Sequence, residues 1–150
     1  MKRKRWMGVL AAAAVLAAAG LCWWAAGRGD PQPLLPERED LPQEVTVTRF
    51  DPFVDHTEEK VLTDPAAIGR AVEALSTGRC DQGRRSPEDL GGGTSLDIVL
   101  TYGDGSRWTL SMIHDNSESI HVRVNGGALC RGTWPGAAEF WDSLEAPAAG

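Results

Sequence analysis

From Glu44 onward the chain alternates between two periods of apolar residues, two and three-to-four. "EVTVTRF", residues 44–50, alternates apolar and polar positions and is rich in β-branched residues, so it predicts a strand. "DPFVDHTEEKVL" follows and reads as a loop or irregular edge ending in Val61-Leu62. "TDPAAIGRAVEALSTG" predicts a helix. Asp64 suits its N-cap, Pro65 its first turn and Gly78 a left-handed stop. Ile68, Ala71, Val72 and Leu75 fall at i, i+3, i+4 and i+7 and form one apolar stripe, with Arg70 and Glu73 on the wet side. "RCDQGRRSPEDLGGGTS" predicts a short strand around Cys80 and then a loop.

The clearest pattern lies in "LDIVLTYGDGSRWTLSMIHDNSESIHVRVNGGALC". Leu96, Ile98, Leu100 and Tyr102 share one strand face. Trp108, Leu110 and Met112 share the next, and Ile120, Val122 and Val124 a third. Turn chemistry selects the register. A three-residue turn at Gly103-Asp104-Gly105 pairs Leu100 with Trp108, Ile98 with Leu110 and Leu96 with Met112, whereas a two-residue turn would split the apolar faces. A second turn at Asp115-Asn116-Ser117 pairs Met112 with Ile120 and Leu110 with Val122. A third, Asn125-Gly126-Gly127, leads to Cys130, which a three-residue closure turns toward the core. "TWPGAAEFWDSLEA" predicts a closing helix with Ala137, Phe140, Trp141 and Leu144 on one stripe. The expected fold over residues 44–145 is therefore α+β. It is a two-layer domain in which an antiparallel meander of about four to five strands packs on two helices, with a tail at 146–150.

The N-terminal pattern is different. A basic tip at residues 1–6 precedes Met7–Gly27, 21 residues without a charge. At about 1.5 Å rise per residue that run matches a hydrocarbon core of about 30 Å. Trp6 and Trp23-Trp24 bracket it, as interfacial tryptophans do. The expectation is one transmembrane signal-anchor, with Lys2–Arg5 in the cytoplasm and the rest outside it. A cleaved signal peptide would cut after Ala17-x-Ala19. Lipidation at Cys22 would need a small residue where Leu21 stands. Residues 28–43 carry four prolines and mixed charge and read as a linker. Its Arg28-Gly29-Asp30 tripeptide carries no weight by itself.

Charge sharpens the picture. After Gly27 there are 21 acidic residues against 11 basic ones, a difference of −10. Such a body disfavours nucleic acid, whose affinity rests on neutralising phosphates.

Candidate chemistry is sparse. Cys80 and Cys130, in an oxidising compartment, suggest one disulfide. It would close a loop of about 50 residues, worth on the order of 4 kcal/mol. Asp51, Asp55, His56, Glu58 and Glu59 form an acidic cluster that could take a divalent cation, though without the spacing of a calcium loop or a His-x-x-x-His pair. Gly91–Gly93 lacks the Gly-Lys-Ser/Thr of a phosphate loop, and Ser95 does not sit in a nucleophile elbow. His114 borders a turn and His121 faces away from the core, both as surface positions. No catalytic residue and no cofactor is expected.

The order of strand, "LTDPAAIGRAVEAL" helix, "LDIVLTYGDGSRWTLSM" hairpin, "VRVNGG" turn and closing "FWDSLE" resembles small extracytoplasmic domains of unknown function from Gram-positive bacteria, those described as YhfM-like. The resemblance implies an envelope protein, held to the cell membrane by a single pass, with its C-terminal domain outside the cytoplasm. It supplies no site residues. The resulting expectation is a membrane-tethered, non-catalytic binding or interaction module with an envelope protein as partner. Its contact surface would be Thr101, Arg107, Thr109, Ser111, His121 and Arg123, or the 51–60 loop. Two alternatives stand beside it: a small envelope enzyme or metal-dependent hydrolase using Asp51–Glu59, and a sensor ectodomain regulating a partner membrane protein.

Overall fold

The computed structural model describes residues 30–85, 93–114 and 118–144. Ten elements follow one another in this part of the chain: β1 (Gln32–Pro33), β2 (Glu44–Asp51), β3 (His56–Leu62), α1 (Pro65–Ser76), β4 (Arg79–Arg85), β5 (Thr94–Thr101), β6 (Arg107–His114), β7 (Ser119–Val124), β8 (Cys130–Thr133) and α2 (Ala137–Ser143). All the strands join one antiparallel sheet in the order β1-β4-β8-β7-β6-β5-β2-β3.

This corrects the expected architecture. Among the described residues the chain is mainly one eight-stranded antiparallel sheet with two short helices, not an α+β domain of four to five strands on two helices. Two strands escape a pattern reading. In β3 the sequence His-Thr-Glu-Glu-Lys has no apolar alternation, and pairing with β2 from Val45↔Leu62 to Asp51↔His56 makes it a strand. β1 is too short to show a period.

No helix among the described residues is long and apolar enough to cross a membrane. The expected anchor at 7–27 lies outside the described residues, as does the candidate Cys22. Single-pass membrane attachment, the membrane as partner and the outward-facing address are withdrawn on that finding.

One face of the sheet builds the core. Val45 and Val47, Leu96, Ile98 and Leu100, Leu110 and Met112, and Ile120 and Val122 are buried on successive strands. They meet Ile68, Ala71 and Leu75 of α1 and Ala137, Phe140 and Trp141 of α2. Leu34, inside the segment expected to be a linker, is fully buried in the same cluster, and the Trp108 indole N–H donates to its carbonyl at 2.9 Å. Trp134 closes the other side. Its N–H donates to the Ala74 carbonyl at 2.9 Å, and its ring lies 4.8 Å from Phe140. Both tryptophans thus bury apolar area while keeping their polar atom bonded.

Local chemistry explains the connections. The Asp64 carboxylate accepts from Ala67 N at 2.8 Å and caps α1. Gly78 is not a left-handed stop. It is small because a Cβ there would collide with the Leu34 side chain. The β5–β6 turn has Gly105 at φ +83 and pairs Leu100 with Trp108, Ile98 with Leu110 and Leu96 with Met112, as the turn reading requires. The β6–β7 register differs from expectation by one step on each face: Met112 pairs with Val122 and His114 with Ile120. The connection is longer than three residues, but the parity is kept, so the same side chains still face inward. At the next turn Asn125 and Gly126 have φ +48 and +69, and Val122 pairs with Cys130.

The start of the folded unit is pinned to this hairpin. Arg38 donates to both Asp40 oxygens at 2.8 Å, to Ser106 Oγ at 2.8 Å and to Asp104 Oδ2 at 3.1 Å, and its guanidinium lies 4.1 Å over the Tyr102 ring. The Ser106 hydroxyl and amide, and then Arg38, hold the Asp104 carboxyl down to about 2. Arg38 lowers Asp40 in the same way.

Candidate functional site

Where the first face is filled, the second is open. Every outward position of β2, β3 and β5 to β8 is at least partly exposed, so no layer of described residues covers that side. The pleat and the register set its content row by row. One row runs Val61, Thr46, Val99, Thr109. The next runs Glu59, Thr48, Asp97, Ser111, Arg123. A third runs Thr57, Phe50, Ser95, Ile113, His121, Arg131, Asp81.

All six surface candidates lie on this face. Thr101 is opposite Arg107, Ser111 is opposite Arg123, Thr109 is next to Ser111 along β6, and His121 is on β7. Strand alternation puts all six on the exposed face of the sheet. The pattern reading missed the continuation onto β8 and β4. There Arg131 pairs with both His121 and Asp81, and Thr133 pairs with both Ser119 and Arg79. A signal was present: once Cys130 faces the core, Arg131 must face out.

Charge is sorted across the face. Glu59 and Asp97 lie toward the β3 end. Arg123 and Arg131, with His121 and Arg79, lie toward the β4 end, where Asp81 stands opposite Arg131, and Arg107 lies on the middle strand β6. Glu59 and Arg123 are separated by four interstrand spacings of about 4.8 Å each, too far to neutralise each other. A recess of about 220 Å3 opens at the cationic end, lined by Arg79, Asp81, Ser119, Arg131 and Thr133 among others. Asn125 stiffens the neighbouring edge: its side-chain oxygen accepts from Thr109 N, and its own N–H donates to Thr109 O, both at 2.9 Å. Arg123 is held by donation to the Gly127 carbonyl at 2.7 Å.

The other candidates do not assemble. Cys80 and Cys130 are free thiols, both buried, so the expected disulfide is corrected. They sit on adjacent strands, but Cys80 is opposite Gly132, and a bulge in β4 leaves Cys130 opposite Arg85. Burial, then the neighbouring Cys130 and Asp81, push the Cys80 thiol up, away from the reactive thiolate.

The acidic cluster is dispersed by the hairpin that carries it. Asp51 accepts from Phe53 N at 2.9 Å and lies 3.9 Å from Arg49. His56 lies 3.8 Å from Glu58, while Glu59 points to the other face and accepts from Thr48 Oγ1 at 3.5 Å. Asp55 occupies the turn with φ +48. Among the described residues no group of three or more His, Cys, Asp or Glu could hold a metal ion.

His114, expected at the surface, is buried. It belongs to a row where the apolar run ends on neighbouring strands, with Arg49 following Val47 and Thr94 opposite His114. With Trp141 and Asp142 of α2 these line a cavity of about 210 Å3. Arg49 there stacks over the Trp141 ring at 5.6 Å, and Lys60 lies 4.4 Å over the same ring while donating to the Trp141 carbonyl at 2.8 Å. The row closes the rim of the core by cation–π and hydrogen-bond contacts.

Comparison with protein-family models, with curated proteins and with solved structures finds no match to this chain.

Proposed function

We propose that this protein is a non-catalytic interaction module that receives an acidic segment of a protein partner on the cationic half of its open sheet face. One observation carries the reading. The chain is strongly acidic after Gly27, yet Arg107, Arg123 and Arg131 project from the same side of β6, β7 and β8, while Arg79, at the start of β4, donates to the Ser76 and Gly78 carbonyls at the end of α1. Cations gathered on one face of an acidic protein cost electrostatic selectivity nothing and favour an anionic partner through steering and complementarity. Ser111, Ser119, Thr109 and Thr133 lie between them and offer hydroxyls to backbone or carboxylate groups. Rigid strands position all of these groups, which lowers the ordering cost of binding.

The test is site-specific photocrosslinking in the source cells. A photoreactive residue at His121 is expected to give one dominant protein adduct, and the same residue at Arg70, on exposed helical surface, none. Adding Arg123→Glu and Arg131→Glu should abolish the His121 adduct. Equal adducts from both positions, or an adduct indifferent to the charge reversals, would refute the reading.

A further inference from the structure

The opposite end of the sheet carries a second surface of a different kind. The sheet ends at β3 on one side and at β1 on the other. β1 is two residues long and contains Pro33, which has no N–H to offer. β3 is seven residues long, has no proline, and among the described residues pairs on one side only. Natural edges of this kind are usually shielded, because their unpaired N–H and C=O groups template another strand. Here the edge strand carries His56, Glu58, Glu59 and Lys60, and apolar groups gather around it and at the tip of its hairpin. Of the five exposed large apolar side chains among the described residues, Phe50, Phe53, Val54 and Val61 all belong to the β2–β3 hairpin. Phe53 is 82% exposed and Val54 67%. The hairpin fold does not need them outward: Pro52, the Asp51 bond to Phe53 N and the left-handed Asp55 make the turn.

We propose that β3 and its hairpin tip bind, by strand addition, an extended segment of another protein that alternates cationic and apolar residues. Charge complementarity names the cations. Asp51, Asp55, Glu58 and Glu59 line the hairpin, while Lys60 is drawn inward onto Trp141. The exposed Phe53, Val54 and Val61 supply contacts for the alternate side chains. A second copy of this chain would bring the same acidic hairpin and not the complementary cations. Opposed side chains of an antiparallel pair share a face, so a two-fold pairing of β3 with itself must centre on one residue. Centres at Glu58 or Lys60 set like charges face to face, and a centre at Glu59 sets Glu59 against itself between two Glu58–Lys60 pairs. The surface is separate from the cationic half of the open face, and the inference does not depend on that reading.

The probe is a pair of labelled peptides of about 12 residues, one alternating Lys and Val, the other Glu and Val, titrated into the full chain and followed by anisotropy. The Lys/Val peptide is expected to bind saturably, at least roughly tenfold more tightly than the Glu/Val peptide. Binding should slow amide exchange across Glu58–Val61. The double variant Phe53→Ser, Val54→Ser should weaken it roughly tenfold with an unchanged melting temperature, since both side chains are exposed. Arg123→Glu with Arg131→Glu should leave it intact, which separates this surface from the other. No saturable binding, equal binding of both peptides, or binding without exchange protection in β3 would overturn the proposal. So would a concentration-dependent dimer that the tip variant dissolves.

Discussion

The covered and open faces of the sheet are made by the same strands, residue by alternate residue, yet they answer to different constraints. On the covered side Leu96, Ile98, Leu100, Leu110 and Ile120 are sealed beneath two helices and two tryptophans, and volume and bonded polar atoms dictate identity. On the open side Asp97, Val99, Ser111, Ile113 and Arg123 alternate with them in the same register, and none of the described residues fills the space above. A side chain such as Arg131, exposed and opposite Asp81, is therefore under no packing constraint from the described residues.

The sharpest way to break this comparison is to open the covered side. Trp134→Ala removes a fully buried ring, its contact with Phe140 and its bond to Ala74, and should cost about 3–5 kcal/mol in urea unfolding. A smaller loss is expected for Trp108→Phe, which keeps most of the volume but strands the Leu34 carbonyl: about 1 kcal/mol by the same measurement. Smaller still is the effect of acid on the Arg38 clamp. The Asp104 carboxyl is depressed in the folded chain, so its contribution is complete above the ordinary value of 3.8 and is lost as pH falls through about 2. Carbon-detected titration should place Asp104 near 2, and Ser106→Ala should move it back toward 3.8, because the Ser106 bonds are the largest cause. On the open side Arg123→Glu should change stability by no more than about 0.5 kcal/mol. A large loss there would mean that the open face is structural, and the contrast between the faces would fail.

The legible parts of the fold are those where one period repeats beside an unambiguous turn. Gly103-Asp104-Gly105 and the flanking alternation specify the β5–β6 register, and Asp64-Pro65 with its stripe specifies α1. β3 is illegible because a charged edge strand owes its form to pairing with β2, a long-range term absent from local pattern. Leu34 hides in a proline-rich stretch whose composition imitates a linker, although its burial anchors that stretch to the core. The disulfide expectation counted cysteines without the bulge in β4 that offsets them. Of the candidate face, β5 to β7 could be read from alternation. Arg131 follows from Cys130 facing the core, while Arg79 joins only through strand order, since β4 and β8 are adjacent in space and far apart in sequence.

The claim on which the functional reading turns is that the cationic half of the open face is the receiving surface. The direct measurement is an amide chemical-shift titration of the full chain with an oligoglutamate peptide of about 10 residues, at about 0.1 M salt. Saturable shifts confined to Arg107–Ser111, Ser119–Arg123 and Arg131–Thr133, and lost in the Arg123→Glu, Arg131→Glu variant, are the predicted result. Shifts spread over both faces, or none at all, would contradict it.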